Sequence, residues 1–270
     1  MSNSVFRAAR VVGAAALVAA LTGACSDSLE EPSPRPIGVF QVDVNGDAAP
    51  TAARPTVTFV RTFGLNVADT RNPGDVCQIL TFSDAPAAPA TFAGVSAGEA
   101  LSVQLSGTTT TLVPTEQVYG RLYAPAGDAT VTFQPGDSAR VTIPGAPGGF
   151  PATGFALKTA ETVIFQPIAV PAASSTADLP ARWNAGDENS TMLLSLRYNL
   201  STETVTRQVL CLMRDDGSFD VPNDLLAGWQ SASTENRRAL ATRVRNSGTA
   251  LEGATIFGST TFRKTVPLAP

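Results

Sequence analysis

Gly94-Val95-Ser96-Ala97-Gly98 has the spacing of a G-x-S-x-G nucleophile elbow, in which a serine attacks a carbonyl once a base has taken its proton. The 270-residue chain has no histidine, so it can build neither a Ser-His-Asp triad nor a His-bearing zinc site. Lys158 and Lys264 are its only lysines, and neither stands at a recognisable spacing from Ser96. An elbow also needs a strand before it and a helix after it. Here residues 89–92 lead into the motif and an alternating, strand-like Leu-Ser-Val-Gln-Leu follows it. The expectation is a loop.

Other oxygen-rich segments invite a cation. Asp43-Val44-Asn45-Gly46-Asp47 begins like a D-x-N-x-D calcium loop, but Ala48 replaces the turn glycine and Arg54 stands where the bidentate carboxylate belongs. An Asn-Gly turn is the simpler expectation. Asp215-Asp216-Gly217, with Asp220 and Asp224 downstream, is the densest carboxylate cluster, and Asp-Gly after a strand is turn chemistry. Neither this cluster nor Asp187-Glu188 can be read as a glycosidase pair, because carboxylate separation is not encoded in spacing. No metal or other cofactor is expected. Arg237, Arg238, Arg243 and Arg245 place a positive stripe on one late strand, expected to be an edge where charge discourages pairing with other sheets.

The best candidate for binding is Val118-Tyr119-Gly120-Arg121-Leu122-Tyr123-Ala124. Period-2 alternation sets Val118, Gly120, Leu122 and Ala124 on one face and Tyr119, Arg121 and Tyr123 on the other. With the apolar face inward, two phenol rings and a guanidinium lie at the surface, a patch suited to a sugar ring or a partner's side chains.

The elements that would position these groups are short strands. Hydrophobic residues make up 43% of the chain and charged ones 16%, enough apolar content for a core, while 22 Gly and 20 Pro punctuate it throughout. Alternation recurs near residues 39–44, 56–67, 76–82, 101–105, 109–113, 118–124, 130–134, 139–143, 155–158 and 162–168. It resumes near 181–184, 192–199, 204–213, 238–245 and 255–264. A brief helix is expected over 222–229. The fold class is therefore all-β. An Ig-like β-sandwich is expected, in two packed modules over 37–170 and 179–267 joined by a linker at 171–178, with Trp183 filling the space between sheets. One continuous larger sandwich is the competing arrangement.

The N-terminus carries an address. Arg7 and Arg10 precede an apolar run, residues 11–21, which as a helix rises about 16 Å, roughly half the hydrocarbon core of a bilayer. That suits a secretory signal rather than a span. The closing Leu21-Thr22-Gly23-Ala24-Cys25 resembles the lipobox of bacterial lipoproteins, although Thr22 stands where leucine is usual. The resemblance covers residues 1–25 alone. It implies a signal peptide over 1–24, diacylglycerol on Cys25 and an acylated new N-terminus; cleavage by a general signal peptidase is the alternative. In a Gram-negative bacterium, Ser26 after the lipidated cysteine would direct the protein to the outer membrane. Residues 25–36 then form a polar, proline-rich disordered tether. Loss of residues 1–24 removes two arginines and no acid, taking the net charge from −4 to −6, so nucleic acid is a poor partner.

Once Cys25 carries lipid, Cys77 and Cys211 remain. In an oxidising compartment an even pair usually bridges, with two separate buried thiols as the alternative. The sequence thus reads as a membrane-anchored envelope lipoprotein with a non-catalytic binding or structural role, its partner a glycan or another envelope protein. The alternative is a carboxylate-dependent enzyme acting on polysaccharide.

Overall fold

The computed structural model describes residues 34–62, 74–82, 92–118, 120–200 and 206–269. Cys25, the expected signal segment and most of the expected tether lie outside them, as does Tyr119. Strands dominate. The first part of the chain forms β1 (Arg35–Asn45), β2 (Ala52–Ala53), β3 (Thr56–Thr62), β4 (Val76–Phe82), β5 (Ala93–Gly94) and β6 (Leu101–Leu105). It continues through β7 (Thr108–Gln117), β8 (Gly120–Ala124), β9 (Val131–Thr132), β10 (Ser138–Ile143) and β11 (Thr153–Lys158). The second part forms β12 (Ile168–Ala169), β13 (Leu179–Arg182), β14 (Ser190–Tyr198), β15 (Thr206–Arg214) and β16 (Ser218–Val221). A short helix, α1 (Ala227–Ser231), precedes β17 (Arg237–Leu251), β18 (Ala254–Val266) and β19 (Leu268–Ala269). No helix of the described residues is long and apolar enough to cross a membrane.

Most strands join one sheet, in the order β11-β10-β6-β7-β8-β3-β1-β18-β17-β14-β15-β4. The neighbours are antiparallel except β1 and β18, which run parallel from the Ile37–Thr255 pair to the Asn45–Arg263 pair. This ladder, and the β4–β15 ladder, cross the boundary expected at 171–178. Residues Arg35–Pro270 accordingly make one compact unit. The boundary segment is as loop-like as its composition demands, but a local break in alternation says nothing about which distant strand edges meet. The expected strand at 162–168 is also mostly irregular, contributing one bridge between Phe165 and Trp183.

β7 turns the sheet. Its first half pairs with β6 through Thr108–Leu112 and its second half with β8 through Val113–Gln117. The strands beyond it return over the others, bringing β11 against β17 and β18. Gly258 makes that approach possible, since a Cβ there would sit 2.5 Å from Phe155 Cε1. Between the layers the alternating sets interdigitate in one core: Phe40, Val42 and Val44 from β1, Val57 and Phe59 from β3, Leu101, Val103 and Leu105 from β6, and Val141 and Ile143 from β10. Phe59 is the hub, meeting Tyr123 edge-on at 5.4 Å and Phe150 at 4.7 Å. The other face of the sheet around β14, β15, β17 and β18 packs less completely, and the candidate site opens there.

Candidate functional site

Register assembles the site. Ser195 of β14 stands opposite Leu210 of β15 and Leu240 of β17, while Leu193 stands opposite Thr242. Because side chains alternate, these residues share the face turned away from Met192, Leu194 and Leu196, which are wholly buried in the core. Together they floor a groove of about 530 Å³. One end carries Arg197, whose Nε donates to Gln208 Oε1 at 2.9 Å. Arg263, opposite Thr242 on β18, borders the groove beside Asp43. The Asp43 carboxylate accepts the Thr261 hydroxyl at 2.7 Å.

The floor has one unusual atom. Ser195 is 7% exposed, and its hydroxyl has no hydrogen-bond partner. A buried hydroxyl left unpaired costs about 1–3 kcal/mol, and because the oxygen is closed to solvent this cost belongs to the floor itself. Leucines beneath, hydroxyls at the sides and guanidinium groups at the rim suit a ligand with an apolar body and an anionic group. Period-2 alternation marks the outward face of β14, but nothing in the sequence says that Ser195 sinks between two leucines of neighbouring strands.

The predicted tyrosine patch is corrected at Tyr123, while Tyr119 lies outside the described residues. Tyr123 is fully buried, and its hydroxyl accepts from Ala97 N–H at 3.0 Å and donates to Gly98 O at 2.8 Å. Register explains the reversal: β8 pairs with β3 so that Tyr123 is opposite core-facing Val57 and Leu122 is opposite Thr58. The exchange is confined to part of the strand, since Gly120 and Ala124, expected inward, are buried as well. Val118, expected inward, is 57% exposed. Arg121 pairs with Glu116 at 3.2 Å, lies 5.9 Å from the Tyr123 ring centroid and reaches a shallow depression beside Ser96 and Pro144. The patch therefore reduces to Arg121 among the described residues.

Tyr123 also accounts for the G-x-S-x-G segment. It clamps the loop between β5 and β6, burying Val95 and Ala97, and β6 rather than a helix follows. Asp43 and Asp47 serve β18, since Asp47 accepts Thr265 N–H at 2.8 Å while Asn45 closes its own turn onto Asp47 N–H. No set of three or more acidic or cysteine side chains among the described residues is grouped to hold a metal ion.

The arginine stripe is overturned as well. β17 lies between β14 and β18, not at an edge, and Arg243 and Arg245 point inward. Arg243 is wholly buried; its Nε donates to Asp215 Oδ2 at 2.6 Å and its Nη2 to Asp215 Oδ1 at 3.1 Å. Trp183 Nε1 and the Ser190 hydroxyl complete the carboxylate's partners at 2.8 and 2.6 Å. The remaining guanidinium donors meet the carbonyls of Thr162 and Asn184. Thus Asp216 and Gly217 make the expected turn, with Gly217 at φ +99°, whereas Asp215 anchors a closed ionic knot.

Beside the knot, Glu161 and Asp187 both accept hydrogen bonds from Arg245 and from Lys158. Burial alone would raise the Glu161 carboxyl, but bonds from Arg245 and Lys158 outweigh it and hold the group below its ordinary range. Asp187 is lowered against its own desolvation mainly by the Arg245 bond. Acids held ionised by two cations are ill-suited to donate a proton in glycoside cleavage.

Cys77 and Cys211 are disulfide-bonded across β4 and β15, joining chain positions 134 residues apart. Compared with models of known protein families and with curated proteins, the chain matches none.

Proposed function

We propose that the protein is a lipid-anchored, extracytoplasmic binding protein of the bacterial envelope, acting through the groove on the outward face of β14, β15, β17 and β18. The observation that carries this reading is the groove itself, floored by Leu193, Leu210 and Leu240 beside Arg197 and Arg263. The Cys77–Cys211 disulfide supports an oxidising compartment, in keeping with the lipobox-like segment ending at Cys25. The body is one continuous sandwich rather than two Ig-like modules, a reading supported by the return of β11 over β17 and β18. The role is non-catalytic, and the ligand is an acidic envelope glycan or an acidic segment of an envelope protein.

Two measurements test it. Mass spectrometry of the protein recovered from membranes should find acyl mass on Cys25; a chain in the cytosol retaining residues 1–24 would refute the location. Retention of the full chain on an array of neutral and acidic glycans should fall when Arg197 and Arg263 are both changed to alanine. Retention unchanged by that double substitution would remove the groove from the proposal.

A further inference from the structure

The end of the large sheet is an edge of unusual composition. β4, Val76-Cys77-Gln78-Ile79-Leu80-Thr81-Phe82, closes the strand order, and among the described residues β15 is the one strand hydrogen-bonded to it. Edges of stable sheets are commonly guarded by lysine, proline or bulges. β4 has none of these and no charge. The turn at Asn223–Leu225 comes close to it, yet Val76 remains 57%, Ile79 46% and Phe82 45% exposed.

The hydrogen-bond phase of this edge follows from two observations. Arg214 N–H of β15 points toward the β4 side, where it donates to Asp75 Oδ1 at 2.9 Å. Alternation then directs the main-chain groups of Leu212, Leu210 and Gln208 toward β4. The Cys77–Cys211 Cα separation of 4.0 Å agrees, since the closer pairs of an antiparallel ladder are the non-hydrogen-bonded ones. So Gln78 and Leu80 bond to β15, while the N–H and C=O groups of Cys77, Ile79 and Thr81 face outward.

We infer that β4 is a dimerisation edge whose occupant is β4 of a second copy of this chain, antiparallel about a two-fold axis at Ile79. Such an axis sets Ile79 opposite the partner's Ile79, and Cys77 opposite the partner's Thr81. These are hydrogen-bonded pairs, so every outward N–H and C=O of the three residues finds an acceptor or donor. The same axis places Val76 against the partner's Phe82 and Ile79 against its own equivalent, matching all three exposed apolar side chains. The absence of charge means that the strand meets no like charge in its copy, as a self-complementary interface requires. The disulfide ties β4 to β15, so the edge stays formed before association. Gln78 and Leu80 lie opposite Leu210 and Gln208, so the sheet face bearing the groove continues to the two-fold axis.

Sedimentation velocity of the full chain in detergent, over a concentration series, is the test. The wild type should form dimers, and Ile79→Lys, which opposes two ammonium groups at the axis, should weaken association about tenfold or more. Ile79→Pro removes an outward N–H without touching the ladder to β15 and should do the same. Ile164→Lys, at a site 67% exposed elsewhere on the surface, should leave dimerisation unchanged. An intact Cys77–Cys211 bond and an unaltered far-ultraviolet spectrum verify that each variant is folded. In the wild type, amide exchange at Cys77, Ile79 and Thr81 should slow with rising concentration while Gln78 and Leu80 stay protected throughout. A wild type monomeric at every concentration overturns the inference, as does its pairing at β4 only with a different protein. Dimers indifferent to both Ile79 substitutions overturn it too.

Discussion

Replacing Asp215 by asparagine keeps the shape of the side chain but removes the negative charge from the knot. Arg243 is then left wholly buried with no counter-ion, and an amide NH2 confronts at least one guanidinium N–H. Trp183 Nε1 and the Ser190 hydroxyl compete for the one oxygen that still accepts. Breaking a buried ion pair by removing one partner costs about 3–5 kcal/mol, far above the 0–1 kcal/mol typical of exposed pairs. With a urea slope of about 3 kcal/mol/M, the unfolding midpoint should fall by about 1–1.7 M. Tryptophan fluorescence is a suitable readout, because Trp183 is itself a member of the knot and Trp229 is buried in the same core. The apolar double variant Asp215→Leu with Arg243→Met should recover only part of the loss, since it needs no counter-ion but leaves Trp183 Nε1–H without its acceptor and the Asn184 carbonyl without its guanidinium donor. A loss below about 1 kcal/mol for Asp215→Asn would show that water reaches the pair, and the inward orientation argued for β17 would fail.

Reducing Cys77–Cys211 frees a loop of 134 residues, which in the chain-entropy model removes about 5 kcal/mol; the urea midpoint measured with and without reductant should fall accordingly. Tyr123→Phe should cost about 1–3 kcal/mol, because Ala97 N–H loses its acceptor in the core, and proteolysis of the 94–98 loop should quicken; unchanged cleavage would deny the clamp. Glu161 and Asp187 have native pKa values below their ordinary 4.5 and 3.8, so their contribution to stability is complete above that range. It is lost as the pH falls through the lowered native values. Unfolding midpoints followed from neutral pH into acid should therefore drop less steeply for Glu161→Gln than for the wild type. Gly258→Val should destabilise by about 1–3 kcal/mol through collision with Phe155 and Leu157, whereas Gly107→Ala, in open space at φ +82°, should cost only its backbone strain.

Local periodicity alone determined much of this protein. Phe40, Val42 and Val44, or Met192, Leu194 and Leu196, alternate with polar or half-exposed neighbours because successive strand side chains point to opposite faces, and that pattern is written in the sequence. Cysteine parity, with strand-like residues around both cysteines, marked the Cys77–Cys211 pairing. Tertiary structure decided what depends on distant neighbours. Tyr123 and Leu122 are adjacent and both bulky, and only the register against β3 chose which faced the core. Arg243 reads like any surface charge until Asp215, Trp183 and Ser190 surround it, for burial of an ion depends on partners that lie 28 to 60 positions away. The parallel ladder of β1 with β18 and the seating of Ser195 between Leu210 and Leu240 join segments whose separation along the chain carries no signal. Alternation is a property of one strand, whereas a groove, an ionic knot and the place of β4 at the end of the described sheet are properties of the order in which strands assemble.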